Sequence, residues 1–346
     1  MVQAWGRRAV TLGLLAAVGA AVTSTNRWWT TTPAVVATGG TPVLSRAGLV
    51  MAQGQPVAPL PSSSGAVAVP RELPRGGRVL LPRYRLVGFC GLPGSSQLGR
   101  LGVGDLEARV GEVVQTGRLY AGAGAEGELP GPDGRVLLPV LELIAVVAQP
   151  WPGDDGRFRV RVGDEVVASH LAAARRHKAL LLLNIQPGRA HFIDEVRAYE
   201  RWLREPDVGV ALDPEWAVTA PSVPGRIFGH TTGGELDDVA AYLSSLVQAG
   251  DLPEKVMVVH QLAPSVIRQS AGLRPHDGVV VIKAVDGIGT PAAKTDTWTQ
   301  LVADLPGGMR TGFKIFFTED RGNGSVLMSP QQVMALRPQP DYVMYE

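Results

Sequence analysis

Eight short apolar segments recur along the chain after residue 83, and amphipathic stretches separate them. Most of these segments are continuously apolar rather than alternating, which is typical of strands buried on both faces of a parallel sheet. Eight strands joined by helical crossovers over residues 83–346 predict an α/β fold, the TIM-type (β/α)8 barrel, which usually takes about 250 residues. The predicted strands are Arg85–Cys90, Val140–Ala148, Leu180–Gln186, Val208–Asp213, Lys255–Gln261, Val279–Asp286, Phe313–Asp320 and Tyr342–Glu346.

The stretches between these strands have the periodicity of helices with one apolar face. Two of them begin with residues that favour helix starts, Thr232 and the pair Ser329-Pro330. An open doubly wound sheet is the alternative, but the loop Gly91–Ser96 lacks the glycine-rich phosphate motif usual in such a sheet. The predicted helices are Asp105–Arg118, Asp164–Lys178, Ala190–Arg204, Gly234–Ala249, Pro264–Ser270, Thr295–Ala303 and Ser329–Leu336.

The first 82 residues lack this alternation and predict two further segments. In residues 1–30, Arg7-Arg8 precede the run Ala9–Val22, whose length suits a signal peptide better than a membrane span of about 20 residues. We therefore expect export, with this segment either cleaved or retained as a membrane anchor. Residues 31–82 are rich in Pro, Gly and Ser and predict a disordered stalk, whose apolar end Val79–Leu81 suits a lead-in to the barrel. We expect the stalk to cover the barrel where no helix follows the eighth strand.

Charge balance and cysteine content exclude several classes of function. The sequence has 33 basic and 32 acidic residues, so it shows no electrostatic footprint for nucleic acid. Cys90 is the only cysteine, which excludes an intramolecular disulfide and a cysteine-built metal site. The histidines lack the spacing of metal ligands. We expect neither a metal nor another cofactor.

Polar side chains follow the apolar runs, at the strand ends where barrel enzymes carry their reactive groups. Loop starts are often polar in any case, so the set is more informative than any one member. The candidate catalytic residues are Asp213, Glu215 and Glu319, and the candidate substrate-binding residues are Gln186, Trp216, His260, Lys283, Asp286 and Glu346.

The sequence Leu-Asp-Pro-Glu-Trp after the fourth strand carries the strongest chemical signal. With a period of two, Asp213 and Glu215 point the same way as Gly209 and Ala211. This predicts two carboxyl groups above a hollow lined by small residues. Because close carboxylates repel, one of them keeps its proton to higher pH and can act as a general acid. Trp216 would offer a face on which a sugar ring can stack.

At this motif the chain resembles glycoside hydrolases of the barrel type, including lysozyme-like and chitinase-like barrels, several of which carry Asp-x-Glu at the end of strand four. The resemblance covers the motif and the fold, and Pro214 departs from it. It implies that Glu215 is the acid and that Glu319 is the nucleophile of a retaining mechanism, about 5 Å away. The overall pattern also resembles uncharacterised secreted actinobacterial barrel proteins, which share Asp-Pro-Glu-Trp and a terminal Tyr-Glu; that resemblance implies no activity.

Three charged residues, Glu142, Lys283 and Lys314, lie within otherwise apolar strands. Because helices cover the outer faces of barrel strands, we expect all three to face the lumen and to form ion pairs. Lys283, within Val-Ile-Lys-Ala on strand six, also resembles the Schiff-base lysine of pyruvate-type class I aldolases, in which a desolvated amine is nucleophilic. The phosphate or carboxylate loop of that family is missing here.

Three functional hypotheses follow. The first is hydrolysis of an envelope or extracellular glycan, with Glu215 as acid and with Asp213 and either Glu319 or Glu346 as its carboxylate partner. The second is a catalytically silent barrel that binds a glycan or an envelope protein, and the third is a Schiff-base lyase that uses Lys283. The expected partner is a carbohydrate or cell-envelope component rather than nucleic acid, with membrane contact only through the N-terminus.

Overall fold

The computed structural model describes residues 71–121 and 133–346. Its centre is a closed barrel of eight parallel strands, in the order β1, β8, β7, β6, β5, β4, β3 and β2, with β2 also paired to β1. The barrel strands are β1 (Tyr84–Gly91), β2 (Val136–Ala148), β3 (Leu180–Ile185), β4 (Val208–Leu212), β5 (Lys255–Gln261), β6 (Val279–Val285), β7 (Arg310–Ile315) and β8 (Tyr342–Tyr345). The predicted TIM-type α/β fold is confirmed.

Helices cover the outside of the barrel, and none in the described parts of the chain is long and apolar enough to cross a membrane. Thr232 caps α5 in a reciprocal capping box with Glu235, as its sequence predicts. The helices are α1 (Leu106–Ala121), α2 (Asp164–Arg176), α3 (Phe192–Ala198), α4 (Glu200–Leu203), α5 (Gly233–Gly250), α6 (Pro291–Val302) and α7 (Pro330–Met334).

The predicted helix Pro264–Ser270 is wrong, and the predicted helix Ala190–Arg204 is divided. Pro264–Val266 forms one 3-10 turn, after which Ile267–Arg268 pairs with the two-residue strand Thr231–Thr232. The apolar residues of this segment therefore lie in a loop that contains a short strand pairing, and not on one face of a helix. Tyr199 separates α3 from α4, and its hydroxyl donates to the carbonyl oxygen of Ala145 at 2.7 Å.

The lower part of the lumen is filled by one cluster of apolar side chains, separate from the layer between strands and helices. Gly209 faces this cluster, and a Cβ there would lie 2.5 Å from the carbonyl oxygen of Val256 and 2.9 Å from Cδ2 of Leu182. The hollow expected below Asp213 is therefore occupied, because the small residue lets its neighbours approach closely. Polar groups are left only the upper part of the lumen.

Residues 71–82, the end of the expected stalk, close the amino-terminal end of the barrel. Leu73, Leu80 and Leu81 are buried in the same cluster as the lumen side chains. The backbone N–H of Leu80 donates to Glu254, directly before β5, at 2.6 Å, and Arg78 donates to the carbonyl oxygen of Leu252 at 2.9 Å. The packed part of the described chain therefore begins before residue 83, and Leu80 and Leu81 do serve as a lead-in.

Aromatic side chains, not residues 71–82, cover the outer face where β8 meets β1. Tyr345 stacks on Phe317 with ring centroids 5.2 Å apart, and its hydroxyl lies 2.6 Å from that of Tyr120 on α1. The described end of the stalk thus lies elsewhere than expected. The predicted signal segment 1–30, residues 31–70 of the stalk and the glycine-rich residues 122–132 lie outside the described residues.

Substitution of Leu80 tests whether residues 71–82 belong to the folded unit. Leu80 is fully buried, so Leu80→Ala is expected to lower the free energy of unfolding by about 2–5 kcal/mol. The adjacent Val79 is 53% exposed, so Val79→Ala should change it by no more than about 0.5 kcal/mol. Urea unfolding of both variants measures the difference. Equal, small effects would mean that this segment adds nothing to the stability of the barrel.

Candidate active site at the carboxyl end of the barrel

A cluster of charged and polar side chains occupies the upper lumen, above the apolar layer. The strand alternation that turns Leu182, Val258 and Ile282 into the lumen also turns Asn184, His260 and Asp286, further along the same runs, into it. The cluster comprises Glu142, Asn184, Asp213, Glu215, His260, Asp286, Lys314, Tyr342 and Glu346.

His260 lies at the centre of this acidic cluster and is fully buried. Its Nδ1 is 2.9 Å from Oδ2 of Asp286, and its Nε2 is 2.9 Å from Oε1 of Glu142 and 3.7 Å from Oδ1 of Asp213. Burial alone would lower the pKa of His260, but these three carboxyl groups raise it well above its usual value. His260 is therefore an imidazolium that donates from both ring nitrogens.

Lys314 is the second cation of the cluster. Its Nζ lies 3.2 Å from Oδ2 of Asp286 and 2.5 Å from Oε2 of Glu346. Burial opposes its charge, but Asp286 and Glu346 raise the pKa of Lys314 well above its usual value. Glu142, bound to His260, and Lys314, bound to Asp286 and Glu346, both lie in the lumen and form ion pairs, as the sequence predicted.

Glu142 is held ionised by hydrogen bonds from three sides. Besides His260, Nδ2 of Asn184 donates to it at 2.8 Å and the hydroxyl of Tyr342 donates to it at 3.0 Å. Burial would raise the pKa of Glu142, but the charge and hydrogen bond of His260 bring it below its usual value. Burial would also raise the pKa of Asp286, but the charges of His260 and Lys314 bring it below its usual value. The two carboxylates therefore hold His260 in place and leave it no free nitrogen.

Asp213 and Glu215 lie together beside this network. The backbone N–H of Asp213 extends the strand ladder to Ile185 at 3.0 Å, and Pro214 then starts a 3-10 turn that ends at Trp216. The carbonyl oxygen of Glu215 accepts from the backbone N–H of Gly229 at 2.7 Å, which ties the turn to the next loop. The proline that departs from the glycosidase motif thus begins the turn that carries Glu215.

The carboxyl groups of this pair are less fully compensated than the others, since Nε2 of His260 approaches Oδ1 of Asp213 only to 3.7 Å. Asp213 is 4% and Glu215 9% exposed, and Oδ1 of Asp213 and Oε2 of Glu215 have no hydrogen-bond partner among the described residues. Burial raises the pKa of Asp213 to about 6. Burial, followed by the charge of Asp213, raises the pKa of Glu215 well above its usual value. Near neutral pH the pair therefore offers one carboxylic acid beside one carboxylate.

Gln186 and Trp216 border the pair. Nε2 of Gln186 is 3.4 Å from Oδ2 of Asp213, and its Oε1 accepts from the backbone N–H of Ala148 at 3.2 Å. Trp216 is 4% exposed and packs against Ala148. The stacking face expected of Trp216 is therefore covered, because the 3-10 turn folds the indole inward.

Two of the candidate residues lie apart from the cluster. Lys283 is on the outer face of β6, where its Nζ donates to the carbonyl oxygen of Leu301 at 3.0 Å, so its predicted lumen position is wrong. Its neighbours Ile282 and Ala284 occupy the lumen, and the alternation turns Lys283 toward α6. Glu319 is exposed and begins a 3-10 helix, four residues after β7 ends at Ile315.

The sequence indicates Asn184 as a polar group at the end of the third strand, but neither its contact with Glu142 nor that of Tyr342 was predicted. Asn184 was noticeable as an amide after four leucines, but Tyr342 lies at the start of β8 and reaches Glu142 past Gly88 of β1, where a Cβ would lie 3.0 Å from the tyrosine hydroxyl. Its signal was the alternation that places it on the face of Met344 and Glu346. In the described parts of the chain no group of His, Cys, Asp and Glu side chains is arranged to hold a metal ion.

The fold and the cluster define an α/β barrel with a candidate acid–base site at the carboxyl ends of its strands. Neither the protein-family models nor the curated proteins include a match to this chain.

Proposed function

We propose that this barrel hydrolyses glycosidic bonds in an envelope or extracellular glycan, with Glu215 as the acid. The observation that carries the proposal is the Glu215 carboxyl group, buried beside Asp213 with one oxygen unpartnered in the described structure. A carboxylic acid protonated near neutral pH can donate its proton to a leaving-group oxygen. The predicted signal segment is the reason for choosing an extracellular substrate.

Asp213 supplies the negative charge that such a reaction needs. As the bond to the leaving oxygen breaks, that oxygen takes the proton of Glu215 and positive charge develops on the sugar ring. Ionised Asp213 stabilises this charge, and water then adds to the sugar carbon while its released proton restores Glu215. His260 and Lys314 bind the other carboxylates at 2.5–3.2 Å, whereas Nε2 of His260 lies 3.7 Å from Oδ1 of Asp213, so that oxygen has no hydrogen bond and remains available.

Glu319 and Glu346 are the other carboxylates that could assist Glu215. Glu346 is bound to Lys314, and Glu319 is exposed outside the buried network, so we assign the partner role to Asp213. A covalent intermediate on Glu319 would still be detected directly, by mass spectrometry after trapping with a 2-fluoro glycoside. Labelling of Glu319 would transfer the role to it.

The rate of hydrolysis is expected to follow a bell-shaped pH profile. Because the pKa of Asp213 is about 6, kcat/KM should rise as the pH increases through that value and Asp213 ionises. It should fall at higher pH, where Glu215 loses its proton, and the two limbs belong to the pair as a unit. Asp213→Asn should remove the acid limb as well as lower the rate. Full activity retained near pH 4 would contradict this assignment.

A catalytically silent, ligand-binding barrel is the second candidate. The covered indole of Trp216 and the low exposure of Glu215 favour it, since both restrict access to the acid. A Schiff-base lyase has no such support, because Lys283 lies outside the lumen and Lys314 is held in ion pairs.

A turnover screen separates the two remaining candidates. Polysaccharides and peptidoglycan are incubated with the protein, and new reducing ends are measured. Turnover that depends on Glu215 supports hydrolysis. Saturable binding without new reducing ends supports the silent barrel.

A further inference from the structure

The cluster contains more acid than base. Its five carboxyl groups are Glu142, Asp213, Glu215, Asp286 and Glu346, and its two bases are His260 and Lys314. With Glu215 protonated and Asp213 ionised, four carboxylates face two cations. Such an excess is costly in a buried site unless a further positive charge or a proton compensates it.

Three buried oxygens of the cluster have no hydrogen-bond partner among the described residues, namely Oδ1 of Asn184, Oδ1 of Asp213 and Oε2 of Glu215. The two that belong to carboxyl groups, on Asp213 and Glu215, lie on side chains more than nine-tenths buried, and Nε2 of His260 is 3.7 Å from Oδ1 of Asp213, too far for a hydrogen bond. Glu346 forms the most accessible edge of the cluster, with 20% of its side chain exposed. A ligand that enters there meets Oδ1 of Asp213, which requires an N–H or O–H donor, and the protonated carboxyl group of Glu215, which has one accepting oxygen and one O–H.

We propose that this site binds a protonated primary amine, carried by a hexosamine unit of the glycan; the inference rests on the proposed function. An ammonium group has three donors and no acceptor, which matches Oδ1 of Asp213, the accepting oxygen of protonated Glu215 and the excess negative charge. An N-acetylated unit replaces that charge with a neutral amide, and a plain hexose offers only hydroxyl groups. The site therefore selects sugars with free amines.

Exposed aromatic residues at the same end of the barrel favour a sugar as the carrier of the amine. Trp151 follows the end of β2 and is 38% exposed, and Phe228 is 39% exposed directly before Gly229, which binds the backbone of Glu215. Exposed aromatic faces at a rim pack against the apolar face of a sugar ring, whereas a simple aliphatic amine gains little from their breadth.

Binding of monosaccharides tests the proposal without requiring turnover. The full chain is titrated at pH 7 with glucosamine, N-acetylglucosamine, glucose and butylamine, and binding is followed by NMR. We expect glucosamine to bind at least tenfold more tightly than each of the other three. Equal affinity for glucosamine and glucose would overturn the amine site, and equal affinity for glucosamine and butylamine would overturn the sugar as carrier.

Charge-removing variants locate the site. Asp213→Asn should weaken glucosamine binding about tenfold and leave glucose binding within about twofold. Asp154→Asn, at an exposed acid on the loop after β2, is the matched control and should change neither. If Asp213→Asn does not fold, Glu346→Gln replaces it at the open edge with the same expected direction. Unchanged glucosamine binding in the folded variant would overturn the assignment.

Different results would refute the glycan hydrolase and the amine-binding site. Amine preference without turnover of any glycan would refute the hydrolase and keep the amine site. Turnover of neutral or N-acetylated glycans by Glu215, with no preference for glucosamine, would refute the amine site and keep the hydrolase.

Discussion

Glu215→Gln is expected to lower kcat for hydrolysis of a natural glycan by about 10²–10⁴-fold, the usual contribution of a positioned general acid. Glutamine keeps the shape of the side chain and can donate a hydrogen bond, but it cannot transfer a proton to the leaving oxygen. The loss should be much smaller with an aryl glycoside whose leaving group is itself acidic, because such a group needs little protonation. Initial rates with both substrates measure this difference.

Asp154→Asn provides the control for this experiment, since it removes an exposed carboxylate from a loop at the same end of the barrel. It should leave kcat within about twofold with both substrates. Equal activity of Glu215→Gln and the unaltered protein would remove Glu215 from the mechanism. An equal loss with both substrates would mean that Glu215 acts by some means other than protonating the leaving group.

His260→Leu is expected to lower the free energy of unfolding by about 3–5 kcal/mol, the cost of removing one partner from a buried ion pair. Leucine fills a similar volume, so the effect comes mainly from leaving Glu142 and Asp286 without the imidazolium that binds both at 2.9 Å. Urea denaturation of the full chain measures the change. His191→Leu is the matched control: its ring is exposed and lies 3.9 Å from Glu235, so about 1 kcal/mol or less is expected.

The loss of unfolding free energy in His260→Leu should depend on pH in a definite direction. The folded pKa of His260 is raised, so its stabilising effect is fully present below its ordinary pKa of 6.5 and is lost as the pH rises toward the folded value. The folded pKa values of Glu142 and Asp286 are lowered from 4.5 and 3.8, so their contributions are lost on acidification. The free energies of unfolding of the unaltered protein and of His260→Leu should therefore differ most between about pH 4.5 and 6.5. A difference independent of pH would mean that His260 contributes by packing alone.

The barrel could be predicted because its strands are buried on both faces and so leave continuous apolar runs in the sequence. The alternation of side chains along β6 also predicts the face on which Lys283 lies. Asp286 shares a face with Ala284 and Ile282, so Lys283 must lie on the opposite face, although its apolar surroundings suggested the lumen. Buried charge indicates that a partner exists but does not say on which side of the strand it lies.

Other features depend on geometry that no local pattern contains. Glu319 seemed to end a strand, but β7 stops at Ile315 and a turn leads from it to the 3-10 helix that Glu319 begins. The covering of Trp216 follows from the path of the 3-10 turn after Pro214. The convergence of Glu142, His260 and Asp286 joins three strands whose members are far apart in the chain, so only barrel closure brings them together.

We expect Glu215, at the carboxyl end of the barrel, to carry a proton at neutral pH. Carbon-13 NMR of protein labelled at the glutamate carboxyl carbons measures this directly, with Glu215→Gln to assign the resonance. We predict that the Glu215 signal stays at the position of a protonated carboxyl group from pH 5 to 7, because burial and Asp213 raise its pKa well above 4.5. A Glu215 signal that titrates near pH 4.5, like an exposed glutamate, would contradict the account.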